Sequence, residues 1–290
     1  MEKFSDLYGV IKVNNKSKTK VMNNFTNPIL DEVKNKYLTI EKMVSIFVKN
    51  PDAAMRGVLI SGDAGFGKTH YTKLGLQSIK DETNVDYCKG SSITAAAMYC
   101  KLYQSKDAGQ VLVLDDVDII HKSTGERSAI LDMFKAATEP TTEDRVIEWG
   151  RASQNQLMRD NDIPSKFVFK GSIVWITNER IEDIADKAKT HWNAISSRFR
   201  QIPVWLNDQE KLMYSIHLVE DIDMLGKKCY AKEGGYSNDI IKKTVDYVRK
   251  NWKYMNDISP RVCISIADTI ENFPTEWETY CEYQFINNNK

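Results

Sequence analysis

Short apolar runs, each stopped by glycine or a polar residue, mark the interior strands of this chain. Gly57-Val58-Leu59-Ile60-Ser61, Val111-Leu112-Val113-Leu114 and Ser172-Ile173-Val174-Trp175-Ile176 scarcely alternate. Such runs fit parallel strands covered on both faces. Asn84-Val85-Asp86-Tyr87-Cys88 is a weaker run, and Gln201-Ile202-Pro203-Val204-Trp205-Leu206 reads as the last strand of the sheet. Between these runs the spacing becomes helical. Ile29, Val33, Leu38, Met43, Ile46 and Phe47 give an amphipathic pattern through 28–49, and Pro51 ends it. Helices are also expected over Thr69–Lys80, Thr94–Gln104, Ser128–Thr138 and Trp192–Phe199. In the Ser128–Thr138 segment, Ile130, Met133, Phe134 and Ala137 share one face and read as core. Strands alternating with helices predict an α/β fold around a parallel sheet.

Two regions leave that pattern. Residues 145–149 and 166–170 alternate like strands around a polar stretch, which suggests a hairpin-like insertion carrying Arg151, Arg159, Lys166 and Lys170. After residue 206 the pattern is helical throughout. Asn207 and Glu210 form a capping pair. Leu212, Ile216 and Val219 line one helix; Ile241, Val245, Val248 and Trp252 line another after Gly234-Gly235. Ser259 and Pro260 fit the cap and first position of a third helix. Trp277, Tyr280 and Tyr283 fall in a short helical segment before an Asn-rich tail. The expected organisation is an arm over 1–26, an α/β domain over 27–206 and a helical domain with a tail over 207–290.

Composition narrows the class of molecule. The 290 residues are 42% apolar with zero formal net charge. That balance argues against a broadly basic, nucleic-acid-coating surface and leaves local patches open. Lys12, Lys16, Lys18 and Lys20 stand among polar residues in 1–26, as in a flexible solvated arm. The five cysteines show no Cys-x-x-Cys spacing, and Met1-Glu2-Lys3-Phe4-Ser5-Asp6 is no secretion signal. Reduced thiols and a cytoplasmic setting are expected. No apolar run approaches the roughly 20 residues of a membrane helix.

Chemistry concentrates at the ends of the apolar runs. Gly62-Asp63-Ala64-Gly65-Phe66-Gly67-Lys68-Thr69 follows the first run and precedes a helix, with His70 next in line. This is the Gly-x-x-x-x-Gly-Lys-Thr phosphate-binding loop in the strand–turn–helix context it requires. Glycines let backbone N–H groups turn inward, and the helix start adds unpaired N–H groups and a favourable dipole end. Lys68 would reach the β- and γ-phosphates of a triphosphate, and the Thr69 hydroxyl would bind Mg²⁺. The second run ends in Asp115-Asp116, 47 residues after Lys68. Asp115 would hold the metal through its water shell, and Asp116 would orient or deprotonate the attacking water. Asp118 lies in the same turn, as a cap or a member of the metal shell. The third run ends in Thr177-Asn178, and this amide could hold the water near the γ-phosphate. Arg261, a cation in a first helical turn, opposes the helix dipole and invites an anion nearby.

This ordered set resembles the AAA+ ATPases over about residues 40–272. Gly62 to Thr69 is similar to Walker A, and Leu114-Asp115-Asp116 to Walker B. Asn178 matches sensor 1. Arg198 in Ser197-Arg198-Phe199 matches the arginine finger, with Arg200 as the alternative, and Arg261 in Ser259-Pro260-Arg261 matches sensor 2. The change to helices near residue 206 matches the family's lid domain. The resemblance implies a P-loop NTPase sheet followed by a small all-helical lid, ATP and Mg²⁺ as cofactors, and a hexameric or other ring completed by a trans arginine. Two departures stand out. Asp115-Asp116 replaces the common Asp-Glu, as in replication initiators and helicase loaders. Lys89-Gly90-Ser91-Ser92-Ile93-Thr94 lacks the aromatic of protein-threading pore loops. The chain most resembles small single-module AAA+ proteins of bacteriophages, which would act in the host cytoplasm. The implied function is ATP hydrolysis serving a nucleic-acid transaction such as replication or helicase loading, with DNA or a replication protein as partner. A protein remodeller with a protein client and a slowly hydrolysing ATP-gated scaffold are the alternatives.

Overall fold

Residues apolar on both sides of a strand need cover on both faces, and the chain supplies it with helices. The structure is a computed structural model; it describes residues 27–50, 54–77, 84–90, 92–141, 144–150, 156–187, 189–229 and 231–286. The strands are β1 (Gly57–Gly62), β2 (Val85–Lys89), β3 (Val111–Asp115), β4 (Val146–Glu148), β5 (Lys166–Val168), β6 (Ser172–Thr177) and β7 (Phe199–Val204). Five of them form one sheet in the order β2-β3-β6-β1-β7, with every neighbouring pair parallel. β4 and β5 pair antiparallel as the expected hairpin.

The helices up to the last sheet strand are α1 (Pro28–Lys49), α2 (Lys68–Leu76), α3 (Ala95–Gln104), α4 (Thr124–Ala137), α5 (Gln156–Asp160), α6 (Ile181–Lys187) and α7 (Lys189–Arg198). Side-chain alternation divides the sheet's cover. Val58, Ile60, Val113, Val174 and Ile176 pack with Val33, Tyr37, Ile40 and Val44 of α1. Leu59, Leu112, Leu114, Ile173 and Trp175 pack on the other face with Met98, Ile130, Phe134 and Ile195. Gly75 lets α2 lie against α1: a Cβ there would stand 2.7 Å from the Glu41 carbonyl oxygen.

Beyond β7 the described chain is helical: α8 (Asp208–Glu220), α9 (Asn238–Asn251), a 3-10 turn at Trp252–Tyr254, α10 (Pro260–Asn272) and α11 (Trp277–Phe285). Ile216, Val219, Val245, Val248, Cys263 and Ile266 form a core of their own. Both bonds of the Asn207–Glu210 capping box are present, and Ser259 caps α10 through the Val262 N–H. Lys36 of α1 pairs with Glu210 and ties the two regions together.

Several boundaries differ from expectation. α4 starts at Thr124, not Ser128, and β7 runs from Phe199 to Val204, two residues earlier than expected at each end. α5 and α6 were not expected; both are short and lack a full amphipathic repeat. α2 ends at Leu76 with Gln77 as its C-cap, short of the expected Lys80; the arm over 1–26, Pro51, residues 78–80, Ser91, Arg151 and the tail after 286 lie outside the described residues. Among the described residues no helix is long and apolar enough to cross a membrane. None of the five cysteines is in a disulfide.

Candidate nucleotide-binding site

The strand order explains why separate motifs meet. β6 lies between β3 and β1, so the C-terminal ends of the three strands stand side by side. Ligands of open parallel sheets bind at that edge. From β1 the chain enters the loop through Gly62, where a Cβ would stand 2.7 Å from the Val204 carbonyl oxygen. Gly65 and Gly67 take left-handed φ angles of 84° and 101°. Gly67 is the N-cap of α2 and offers no side-chain bond, so the first N–H groups of the helix are left for an anion. Phe66 is buried beside Tyr214, with ring centroids 6.5 Å apart, so its backbone alone remains for a ligand. Ala64 and His70 are exposed, and the His70 ring meets Tyr71 edge-on at 5.3 Å.

Two side-chain links join the strand ends. Lys68 is 5% exposed, and its Nζ donates to the carbonyls of Gly62 and Asp63 at 2.8 Å and to Asn178 Oδ1 at 2.6 Å. Asn178 Nδ2 in turn donates to Asp116 Oδ1 at 2.8 Å. Asn178 thus bridges the lysine of the loop and the second carboxylate of β3. Burial lowers the Lys68 pKa to about 8, against the opposing pull of Asp116, Asp63 and Asp115. Asp116 is exposed in a left-handed conformation (φ 54°), held by its N–H on the Ile176 carbonyl. In the second link, Thr69 Oγ1 donates to Asp115 Oδ1 at 2.9 Å. Asp115 is 2% exposed, and its Oδ2 has no hydrogen-bond partner among the described residues. Burial raises its pKa, with the Thr69 hydrogen bond opposing.

These atoms fit a hard divalent cation. A hydroxyl and a carboxylate with one uncommitted buried oxygen suit a metal that takes one or two protein oxygens and fills its shell with water and phosphate. Among the described residues no three or more His, Cys, Asp or Glu cluster as for a metal ion.

The remaining expected residues sort by position. Arg261 rests against the loop: a Cβ on Gly65 would stand 3.4 Å from its Cδ and Nε. Asp63 turns its carboxylate away toward the helical region, accepting the Leu206 N–H at 2.8 Å and pairing with Lys211 at 2.8 Å. Nothing local in the sequence marks Lys211, because its partner Asp63 lies far away in the chain. Asp118 accepts the His121 N–H at 3.0 Å and so shapes a turn. Arg198 is not at this edge. Its neighbour Phe199 pairs with Gly57 at the start of β1, five residues before Gly62. At roughly 3.3 Å per residue, that puts it about 17 Å from the loop, at the other end of the sheet. Arg198 donates through Nε and Nη2 to Glu139 Oε2 and through Nη1 to the Ala194 carbonyl. Arg200 is exposed, with Nη1 3.9 Å from the Met43 sulfur on the α1 side. In the hairpin region Arg145 is buried on the carbonyls of Glu139 and Ala54, while Lys166 and Lys170 are exposed.

No protein-family model matches the chain. It is 28% identical over 229 residues to an uncharacterized 36.7 kDa protein of the nrdC–mobD intergenic region of Enterobacteria phage T4. That match covers 77% of this chain and 66% of the phage protein, just under two thirds of its length. A RuvB Holliday junction branch migration motor of Thermotoga maritima superposes with a TM-score of 0.45 at 14% identity, covering 86% of this chain and 63% of that one. NtrX from Brucella abortus in complex with ATP gives 0.43 at 11% identity, covering 92% and 66%. The chain is an α/β fold of five parallel strands flanked by helices, followed by a helical region.

Proposed function

We propose that the chain binds ATP with Mg²⁺ and hydrolyses it in a ring-type oligomer, acting in a nucleic-acid transaction such as replication or helicase loading. One observation carries the reading: the Lys68–Asn178–Asp116 bridge and the Thr69–Asp115 pair converge beside the uncapped start of α2. The loop N–H groups and Lys68 bind the phosphates. Asp116 orients the attacking water and accepts its proton, and Asn178 positions the water from the neighbouring strand. When bound, Mg²⁺ supplies neutralising charge to the phosphate oxygens, and Thr69 and Asp115 would hold it. Arg261 brings a cation from the helical region to the loop. Arg198 stands too far from its own loop to act there, so its proposed target is the phosphate bound by a neighbour.

Turnover assays test the reading. Wild type should hydrolyse ATP in Mg²⁺, Lys68→Ala should bind ATP weakly, and Arg198→Ala should keep nucleotide affinity while losing turnover. The exposed Lys166 and Lys170 support a nucleic-acid client. DNA should then stimulate turnover, with the effect fading as salt rises. The internal use of Arg145 and the zero net charge favour a second reading, a protein remodeller or scaffold. Turnover indifferent to DNA would select the remodeller, and ATP-dependent oligomers with little turnover the scaffold.

A further inference from the structure

Just beyond α4, Glu139 presents a carboxylate that has no part in the proposed chemistry at the loop. Glu139 Oε1 is anchored by Thr141, which donates its hydroxyl at 2.7 Å and its N–H at 3.3 Å. Its other oxygen, Oε2, receives Nε and Nη2 of Arg198. This is the guanidinium edge that would grip two phosphate oxygens. The two hydrogen-bond sets lower the Glu139 pKa, Thr141 first and Arg198 second, so the carboxylate stays charged. The pair lines an open depression of about 440 Å³ together with Lys135, Asp144 and Arg145. The other cations there are committed elsewhere: Arg145 to backbone carbonyls, and Lys135 to Asp132 at 2.5 Å. Arg198 differs from Arg145 in having a carboxylate as its main partner, which another oxyanion can replace, and from Lys135 in presenting two N–H groups to that partner. The two side chains are 23% and 24% exposed and line the open depression, so an incoming phosphate can reach the guanidinium.

We infer that Glu139 is a positioning residue for Arg198, holding its guanidinium in the free chain and yielding it to the γ-phosphate bound by a second copy of this chain. The inference rests on the proposed ATPase reading and adds a residue to it. Glu139 stays fixed by Thr141 whether or not Arg198 leaves, so the hold re-forms once the phosphate is gone. The cost of breaking the pair then opposes assembly only when a γ-phosphate claims the arginine.

Self-association of the full chain, measured by sedimentation with Mg²⁺ and either a non-hydrolysable ATP analogue or ADP, tests this. Glu139→Gln keeps the shape and removes the charge. It should lower the concentration for half-assembly with the ATP analogue by about threefold, leave the ADP value unchanged, and lose its effect in an Arg198→Ala background. If Glu139→Gln does not fold, Glu139→Asp, which keeps the charge but shortens the reach, should shift assembly in the same direction. No shift, an equal shift with ADP, or a shift that persists without Arg198 overturns the assignment. If Arg198→Ala assembles and turns over like wild type, the trans-arginine reading falls as well. If Arg198→Ala is inactive and only the Glu139 effect is missing, the ATPase reading stands and the role of Glu139 alone is lost.

Discussion

Lys68 illustrates how burial sets chemistry. Its ammonium is nearly enclosed, and desolvation brings its pKa down to about 8 from the ordinary 10.5. Below pH 8 the group is protonated in both folded and unfolded chains, and the folded state bears the desolvation cost. As pH rises from 8 toward 10.5 the folded site has lost a proton that the unfolded chain keeps, so this group's contribution to stability rises. ATP acts in the opposite sense on protonation, because its charge favours the ammonium. Binding near pH 8 should therefore take up about half a proton, measurable by calorimetry in buffers of different ionisation enthalpy. ATP binding accompanied by no proton uptake would remove Lys68 from the phosphate contact. At Asp116, asparagine tolerates the left-handed backbone that the position requires. Asp116→Asn should leave ATP binding near wild type and slow hydrolysis by about 10²-fold or more, as read in single-turnover assays.

Secondary structure was legible in proportion to burial. β1, β3 and β6 are buried at every position, and their unbroken apolar runs announced them. β7 lies at the sheet edge, where Arg200 is exposed and Gln201 half-buried, so its first residues read as the tail of a helix. α5 and α6 are five and seven residues long, too short for an amphipathic repeat to show. Within the candidate site, glycines and strand-end carboxylates were readable because local backbone demands dictate them. The Asp63–Lys211 pair was not, since nothing local requires it. Packing between elements makes its own prediction. Gly75→Ala would drive a methyl against the Glu41 carbonyl and Val44 of α1. It should lower stability by about 1–3 kcal/mol in denaturant titrations, and an unchanged midpoint would mean that α1 and α2 separate easily.

Across the molecule, the loop touches both the sheet and the helical region. Asp63 reaches Leu206 and Lys211 with its carboxylate while its carbonyl receives Lys68, and Arg261 lies against Gly65. Nucleotide charge and the placement of α8 and α10 are therefore linked through a few polar contacts. Arg198 stands at the far end of the sheet, and under the proposed trans-arginine reading two copies would complete the catalytic set. Lys68→Ala protein retains that arginine, and Arg198→Ala protein retains the loop. Each should be inactive alone, and mixing them should restore part of the turnover; a mixture as inactive as its components would contradict a shared site. The most direct test comes first: Mg²⁺-dependent ATP hydrolysis by purified wild-type protein beside Asp116→Asn, with bound nucleotide measured in both. The expected result is turnover by wild type and retained, unhydrolysed ATP on Asp116→Asn. Equal turnover by the two proteins, or no ATP bound to either, would contradict an ATPase site built on Lys68, Asn178 and Asp116.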